Sequence, residues 1–153
     1  MKPAPENFPR LTSAVTYQDA AKAIDWLCSA FGFELRLKVE DDDGLIVHSE
    51  LTYGDGVIMV AQERTGAPNH PWHSVMLSPK SLGGKTTQSL MLYVDDVEAH
   101  YAHARANGAH IAEELKTSDY GEEYWSDRGY CAADLEGHLW WITQRLRNPS
   151  KAS

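Results

Sequence analysis

The chain has little of several things that would point to a function directly. It holds only two cysteines, Cys28 and Cys131, at neither a metal-ligand spacing nor the spacing of a disulfide framework, so both read as reduced thiols in apolar settings. It is poor in positive charge: 14 Lys and Arg stand against 22 Asp and Glu, a formal net charge of −8. No basic stripe exists to follow a phosphate backbone, which argues against a nucleic-acid partner. No run approaches the roughly 18 apolar residues that a membrane span needs, and Met1 to Asn7 contain no apolar signal core. The expectation is a cytoplasmic protein with no membrane partner. A phosphate loop is also missing, since Gly83, Gly84, Lys85 and Thr86 lack the leading glycine and the preceding strand, and no serine sits in a nucleophile elbow.

What the chain does have is one unit written twice. The first copy runs Leu11 to Asp19, a helical stretch, Phe31, Gly32, Phe33, and two apolar runs split by Gly54, Asp55 and Gly56. The second runs Gln88 to Asp96, a helical stretch, Ala106, Asn107, Gly108, and two further runs split by Asp134 to Gly137. Asp19 and Asp96 are placed to cap helices, Gly32 and Gly108 to stop them, and Ala23, Ile24, Leu27 and Phe31 recur at helical spacing. On the second helix Val97, Tyr101 and Ala104 form the apolar side. Alternating β-branched and aromatic residues predict strands at 11–17, 34–39, 45–53, 57–62, 88–94, 110–115, 128–133 and 139–144. The expected fold is α+β: two βαβββ modules forming a curled mixed sheet of half-barrels with helices outside. With 153 residues, 42% of them hydrophobic, this makes one domain of module 1 (10–63), a linker (64–87) and module 2 (88–146). A linker of that length is a candidate lid or subunit contact.

Paired modules with these motifs resemble the vicinal oxygen chelate superfamily, which includes glyoxalase I, bleomycin-resistance proteins, fosfomycin-resistance transferases and extradiol dioxygenases. The specific anchors are Val94 to Val97 leading a helix to Gly108, and Asp134, Leu135, Glu136, Gly137 and His138 turning into the last strand. That turn is similar to the family's Asp-Pro-x-Gly, with Leu135 in place of the proline. Ala20 to Leu27 and Phe31 to Phe33 look closest to the PhnB-like or bleomycin-resistance-like branch. The resemblance implies a pocket and a homodimer; it does not imply a reaction, because one scaffold serves many chemistries.

In metal-dependent relatives, inward strand residues present His, Glu or Gln to one divalent ion. Counting from the capping aspartates and the turn glycine, the corresponding positions here are Thr12, Met59, Ser89 and Trp141, none of them a usual ligand. The expectation is therefore no metal and no cofactor. His48 and Glu50 share one strand face and are the candidate catalytic pair, as acid and base; the alternative is a structural hydrogen bond to a cross-strand neighbour. The same parity places Thr12, Met59, Ser89, Met91, Tyr93 and Trp141 as ligand-binding residues inside a cavity between modules. Such a lining suits a flat, mostly apolar small molecule stacked on Trp141 or Tyr93, or else it fills the half-barrel as core. Tyr124 and Trp125, with Tyr120, Glu122 and Glu123, belong to a loop that either receives a cationic ligand or makes a dimer contact. The remaining histidines, His70, His73, His100, His103 and His138, read as loop, exposed-helix or structural residues.

The function these readings favour is a metal-independent small-molecule-binding protein, in the role of drug or metabolite sequestration. The alternative is a lyase, isomerase or dioxygenase-like enzyme that uses His48 and Glu50 or an atypical metal site.

Overall fold

The computed structural model describes residues 1–64 and 70–150; residues 65–69, part of the expected linker, lie outside them. The strands are β1 (Ser13–Tyr17), β2 (Glu34–Glu40), β3 (Ile46–Tyr53), β4 (Gly56–Gln62), β5 (Ser89–Tyr93), β6 (His110–Asp119), β7 (Ser126–Ala133) and β8 (Leu139–Arg147), and the helices are α1 (Ala20–Trp26) and α2 (Val97–Ala106). They form two four-stranded mixed sheets with the same order, β1-β4-β3-β2 and β5-β8-β7-β6. In each, the first strand pairs parallel with the fourth and the other pairings are antiparallel. The architecture is the expected α+β arrangement of two βαβββ modules, each with its own four-stranded mixed sheet. By contacts, the chain divides into a unit of residues 1–85 and a unit of residues 86–153.

The helix starts explain why the repeat was visible in the sequence. Asp19 Oδ1 accepts from Lys22 N, and Asp96 Oδ1 accepts from Ala99 N, each at 3.0 Å. A side-chain oxygen in this place satisfies one of the orphan N–H groups of a first turn and contributes about 1 kcal/mol. Each module adds a second device from its last strand. Gln62 Oε1 accepts from Ala20 N, and Gln144 Oε1 accepts from Val97 N, both at 3.2 Å. The two glutamines are structural equivalents that pin each helix to its own sheet. The first helix, expected between the Asp19 cap and the Gly32 stop, is α-helical only to Trp26; Leu27–Phe31 continue as a π-helical turn that ends at Gly32 in the left-handed region (φ 80°).

Each sheet has a covered face and an open one. In the first unit Val15, Tyr17, Leu51 and Val60 are buried with Ile24, Leu27 and Phe31 of the helical segment. In the second, Leu90, Leu92, Tyr130, Trp140 and Ile142 are buried with Val97 and Ala104. Full burial of one Leu or Phe side chain contributes about 1.5–3 kcal/mol, so these faces supply most of each unit's stability. Val47 shares its strand parity with Ser49 and Leu51, yet it is 59% exposed, whereas Ser49 and Leu51 are buried. A register shift between Val39 and Glu40 opposite this end of β3 accompanies the difference.

β6 and β7 are longer than expected. Pairing from Lys116 with Gly129 to Asp119 with Ser126 extends the hairpin, so that Tyr120 to Trp125 form its tip. Arg147 ties down the tip: its Nη2 donates to Asp119 Oδ1 at 2.6 Å and to the Gly121 carbonyl at 2.7 Å.

Candidate functional site

In the second unit the face opposite α2 carries Met91 and Tyr93 from β5, Trp141 and Thr143 from β8, and Gly129 from β7, because Met91 pairs with Trp141 and Thr143 lies opposite both Tyr93 and Gly129. A half-open cavity of about 220 Å³ lies here. Met91, Trp141 and Tyr120 give it apolar and aromatic walls; Glu113, Lys116 and Asp127 supply its charge. Trp141 is 37% exposed, so its ring walls the cavity rather than plugging it. Gly129 makes the floor: a Cβ there would stand 2.8 Å from the Ile142 carbonyl oxygen and 3.1 Å from Thr143 Oγ1.

The charged side chains are committed to one another. Lys116 Nζ donates to Glu113 Oε1, and Arg145 Nε to Asp127 Oδ1. Arg145 also donates through Nη2 to the Tyr93 hydroxyl at 2.7 Å. Its guanidinium carbon lies 5.4 Å from the Tyr93 ring centroid and 5.6 Å from that of Trp125. Trp125, from the loop expected to receive a cationic ligand or make a dimer contact, and Tyr93, expected to stack on a flat ligand, thus already hold a cation of the chain itself. Tyr124 stands 57% exposed at the tip with its ring edge-on to Trp125.

Cys131, opposite Trp141 on β7, is buried; that burial, with Glu113 nearby, pushes its thiol pKa up. The Cys28 thiol is raised likewise by burial and by Asp25. Neither is poised as a thiolate nucleophile.

The first unit holds the remaining candidates. His48 Nε2 lies 3.1 Å from Glu50 Oε1, while Arg36 donates to Glu50 Oε2 through Nε at 2.8 Å. These bonds from His48 and Arg36 hold the Glu50 carboxyl below its usual range, which makes it a weak proton acceptor near neutral pH. The pair thus forms, with Glu50 acting as a holder of His48. Thr12 Oγ1 is engaged with the Val57 carbonyl oxygen. Met59 lies opposite Ala14, half-buried, and Ser89 is exposed opposite Leu139 in the second unit.

The divalent metal that the resemblance implies does not fit the donors present at the four corresponding positions. They are two hydroxyls, one already hydrogen-bonded, a thioether and an indole that has no metal-binding lone pair. Among the described residues no group of three or more His, Cys, Asp or Glu is arranged to hold a metal ion. Among the described residues, no helix is long and apolar enough to cross a membrane.

Reading the sequence by parity missed Glu113, Lys116, Asp127, Gly129 and Arg145. Register shifts between Ile111 and Glu113 and between Glu113 and Lys116 break the alternation on β6, so two residues three apart reach the same face. For Asp127, Gly129 and Arg145 a signal existed, since they share the parity of Cys131 and Trp141.

Comparison with known proteins agrees with the fold. The sequence profile of the Glyoxalase/Bleomycin resistance protein/Dioxygenase superfamily matches residues 10–142. An uncharacterized protein of Mycobacterium bovis is 31% identical over 139 residues, covering 91% of this chain and 85% of its own. Among solved structures, TioX from Micromonospora sp. ML1 superposes with a TM-score of 0.64 at 32% identity, covering 95% of this chain and 99% of that one. TnmS3, an antibiotic binding protein from Streptomyces sp. CB03234, superposes with a TM-score of 0.62 over 88% of this chain and 93% of its own; at 20% identity it shares the fold.

Proposed function

The chain belongs to the glyoxalase/bleomycin resistance protein/dioxygenase superfamily, and from that premise we propose that it is a metal-independent binding protein for a flat, mostly apolar small molecule. The observation that carries the reading is the half-exposed Trp141 beside Met91 on the wall of the 220 Å³ cavity. An aromatic ring slides over the indole face and against the thioether, and both contacts favour planar, polarizable ligands. With Tyr93 and Trp125 already holding Arg145, selectivity for a cation is not built into this wall. A neutral or polycyclic aromatic antibiotic is the first class to screen, since TnmS3 binds an antibiotic on the same fold. Sequestration needs no turnover, which agrees with raised thiols and a lowered Glu50.

Homodimerisation belongs to the same proposal. Leu35, Leu37 and Val39 on the edge strand β2 are each exposed, and a second copy would remove that apolar surface from water.

The test is a fluorescence titration against a panel of aromatic antibiotics, comparing the protein with Trp141→Ala. A saturable change that weakens at least about tenfold in the variant supports the reading. Binding unaffected by the variant, or stoichiometric uptake of Ni, Zn, Mn or Fe(II) by the desalted protein, overturns it.

A second reading rests on the 3.1 Å contact between His48 and Glu50. In an enzyme of this superfamily His48 would act as the acid or base, with Glu50 orienting its ring. Loss of turnover in His48→Ala with binding retained is its signature.

A further inference from the structure

We propose that the first unit carries a ligand site of its own, one that takes a small carboxylate with an apolar body. A half-open cavity of about 110 Å³ lies at the end of β3 and β4, under the 3₁₀ turn Pro71–Ser74. Its lining combines two kinds of surface. Ile46, Val47, Trp72 and Met76 provide apolar surface; Arg64 and His73 provide polar atoms, with Thr16 and Gln62 beside them.

Both polar groups have capacity to spare. Arg64 spends only Nη2, on Asp41 Oδ2 at 3.1 Å and on the Ile46 carbonyl at 3.4 Å, which leaves Nε and Nη1 without a partner among the described residues. His73 Nδ1 is closed off from solvent and also has no hydrogen-bond partner among the described residues. A buried polar atom left in this state destabilises the protein, a deficit that a ligand oxygen at the same place would remove. The fork of a guanidinium matches the two oxygens of a carboxylate, and an imidazole N–H adds a third donor.

The size sets the body of the ligand. A dry apolar cavity of about 150 Å³ holds benzene, so this smaller, open cavity admits a single ring or a short branched chain with the acid group at the polar end. Trp72 is 51% exposed and stacked on His70 with ring centroids 4.5 Å apart, which presents its free face to such a ring.

Benzoate is the probe. Titrated into the full chain, it is expected to shift the Trp72 indole N–H resonance, assigned with Trp72→Phe, in a saturable way, while the Trp141 indole stays unmoved. Benzyl alcohol and benzylamine, equal in bulk but without the anion, are expected to give no saturable shift. Arg64→Gln and His73→Phe should each weaken benzoate at least about tenfold. If Arg64→Gln loosens the fold through Asp41, Arg64→Lys keeps the ion pair and still loses the fork, and His73→Phe lies in the turn outside both sheets. The proposal fails if benzoate gives no saturable response, if only Trp141 responds, if benzyl alcohol binds as well, or if the variants leave the affinity unchanged. Because the probe and the variants all belong to the first unit, failure here leaves the Trp141 site untouched.

Discussion

Arg145 is held against Tyr93: its Nη2 donates to the phenol oxygen at 2.7 Å while the guanidinium carbon sits 5.4 Å from the ring centroid. With Trp125 on the same cation at 5.6 Å and Asp127 on its Nε, one side chain of β8 fixes both the edge strand β5 and the tip of the β6–β7 hairpin. The wall of the cavity is thus preorganised by a residue that belongs to no recognisable motif.

Arg145→Met keeps the aliphatic stem and removes the charge. The ion pair is only part-exposed, and its loss together with the ring contacts should lower the urea midpoint. The informative readout is selectivity: with its internal cation gone, the Tyr93 and Trp125 pair should gain affinity for an aromatic cation such as a quaternary ammonium dye, measured by fluorescence titration. No gain would mean that the rings close on each other.

Asp134 organises the turn that begins β8. Its Oδ1 accepts from the backbone N–H groups of Glu136, Gly137 and His138 at 3.0–3.1 Å, and its Oδ2 accepts from Trp140 Nε1 at 3.0 Å. Asp134→Ala takes the carboxylate acceptor away from these groups, while the Gly137 N–H keeps its bond to the Asp134 carbonyl, and should destabilise by about 2–4 kcal/mol, read as a fall in the urea midpoint at constant slope. Leu135→Pro should be far milder, because the carboxylate makes the turn and needs no proline.

Gly129→Ala tests the cavity floor. The added methyl meets the Ile142 carbonyl at 2.8 Å, and a backbone atom cannot turn aside. A cost of about 1–3 kcal/mol is expected, with ligand affinity at the Trp141 site falling more than stability predicts. Equal stability and equal affinity would show that β7 relaxes.

Stability should decline in acid. Asp119 is held low by Arg147 and the Gly121 N–H, Glu50 by His48 and Arg36, and Asp41 chiefly by the Leu45 N–H. A carboxylate whose folded pKa lies below its unfolded value stabilises the fold above the ordinary carboxylate range near about 4, and that contribution is lost as pH falls through the folded values. Urea midpoints should therefore be flat from neutrality down to that range and drop below it. Asp119→Asn should flatten part of the drop.

The sequence alone determined what depends on local chemistry. Asp19 and Asp96 as caps, Gly32 and Gly108 as stops, the breaks at Gly54 to Gly56 and Asp134 to Gly137, and the alternation on most strands mark the βαβββ repeat because each acts within a few residues of itself. That is enough for the fold and for Met91, Trp141 and the contact of His48 with Glu50. What only the tertiary structure decided lies where local rules are interrupted. Two register shifts on β6 put Glu113 and Lys116 on one face, another opposite β3 accompanies the exposure of Val47, and a π-turn shortens α1. Arg145 meets Tyr93, 52 positions away in the chain, and Arg64 with His73 share a cavity through a linker that carries no period to read. Such placements arise from register and packing across strands, which the order of residues specifies only once the whole sheet has formed.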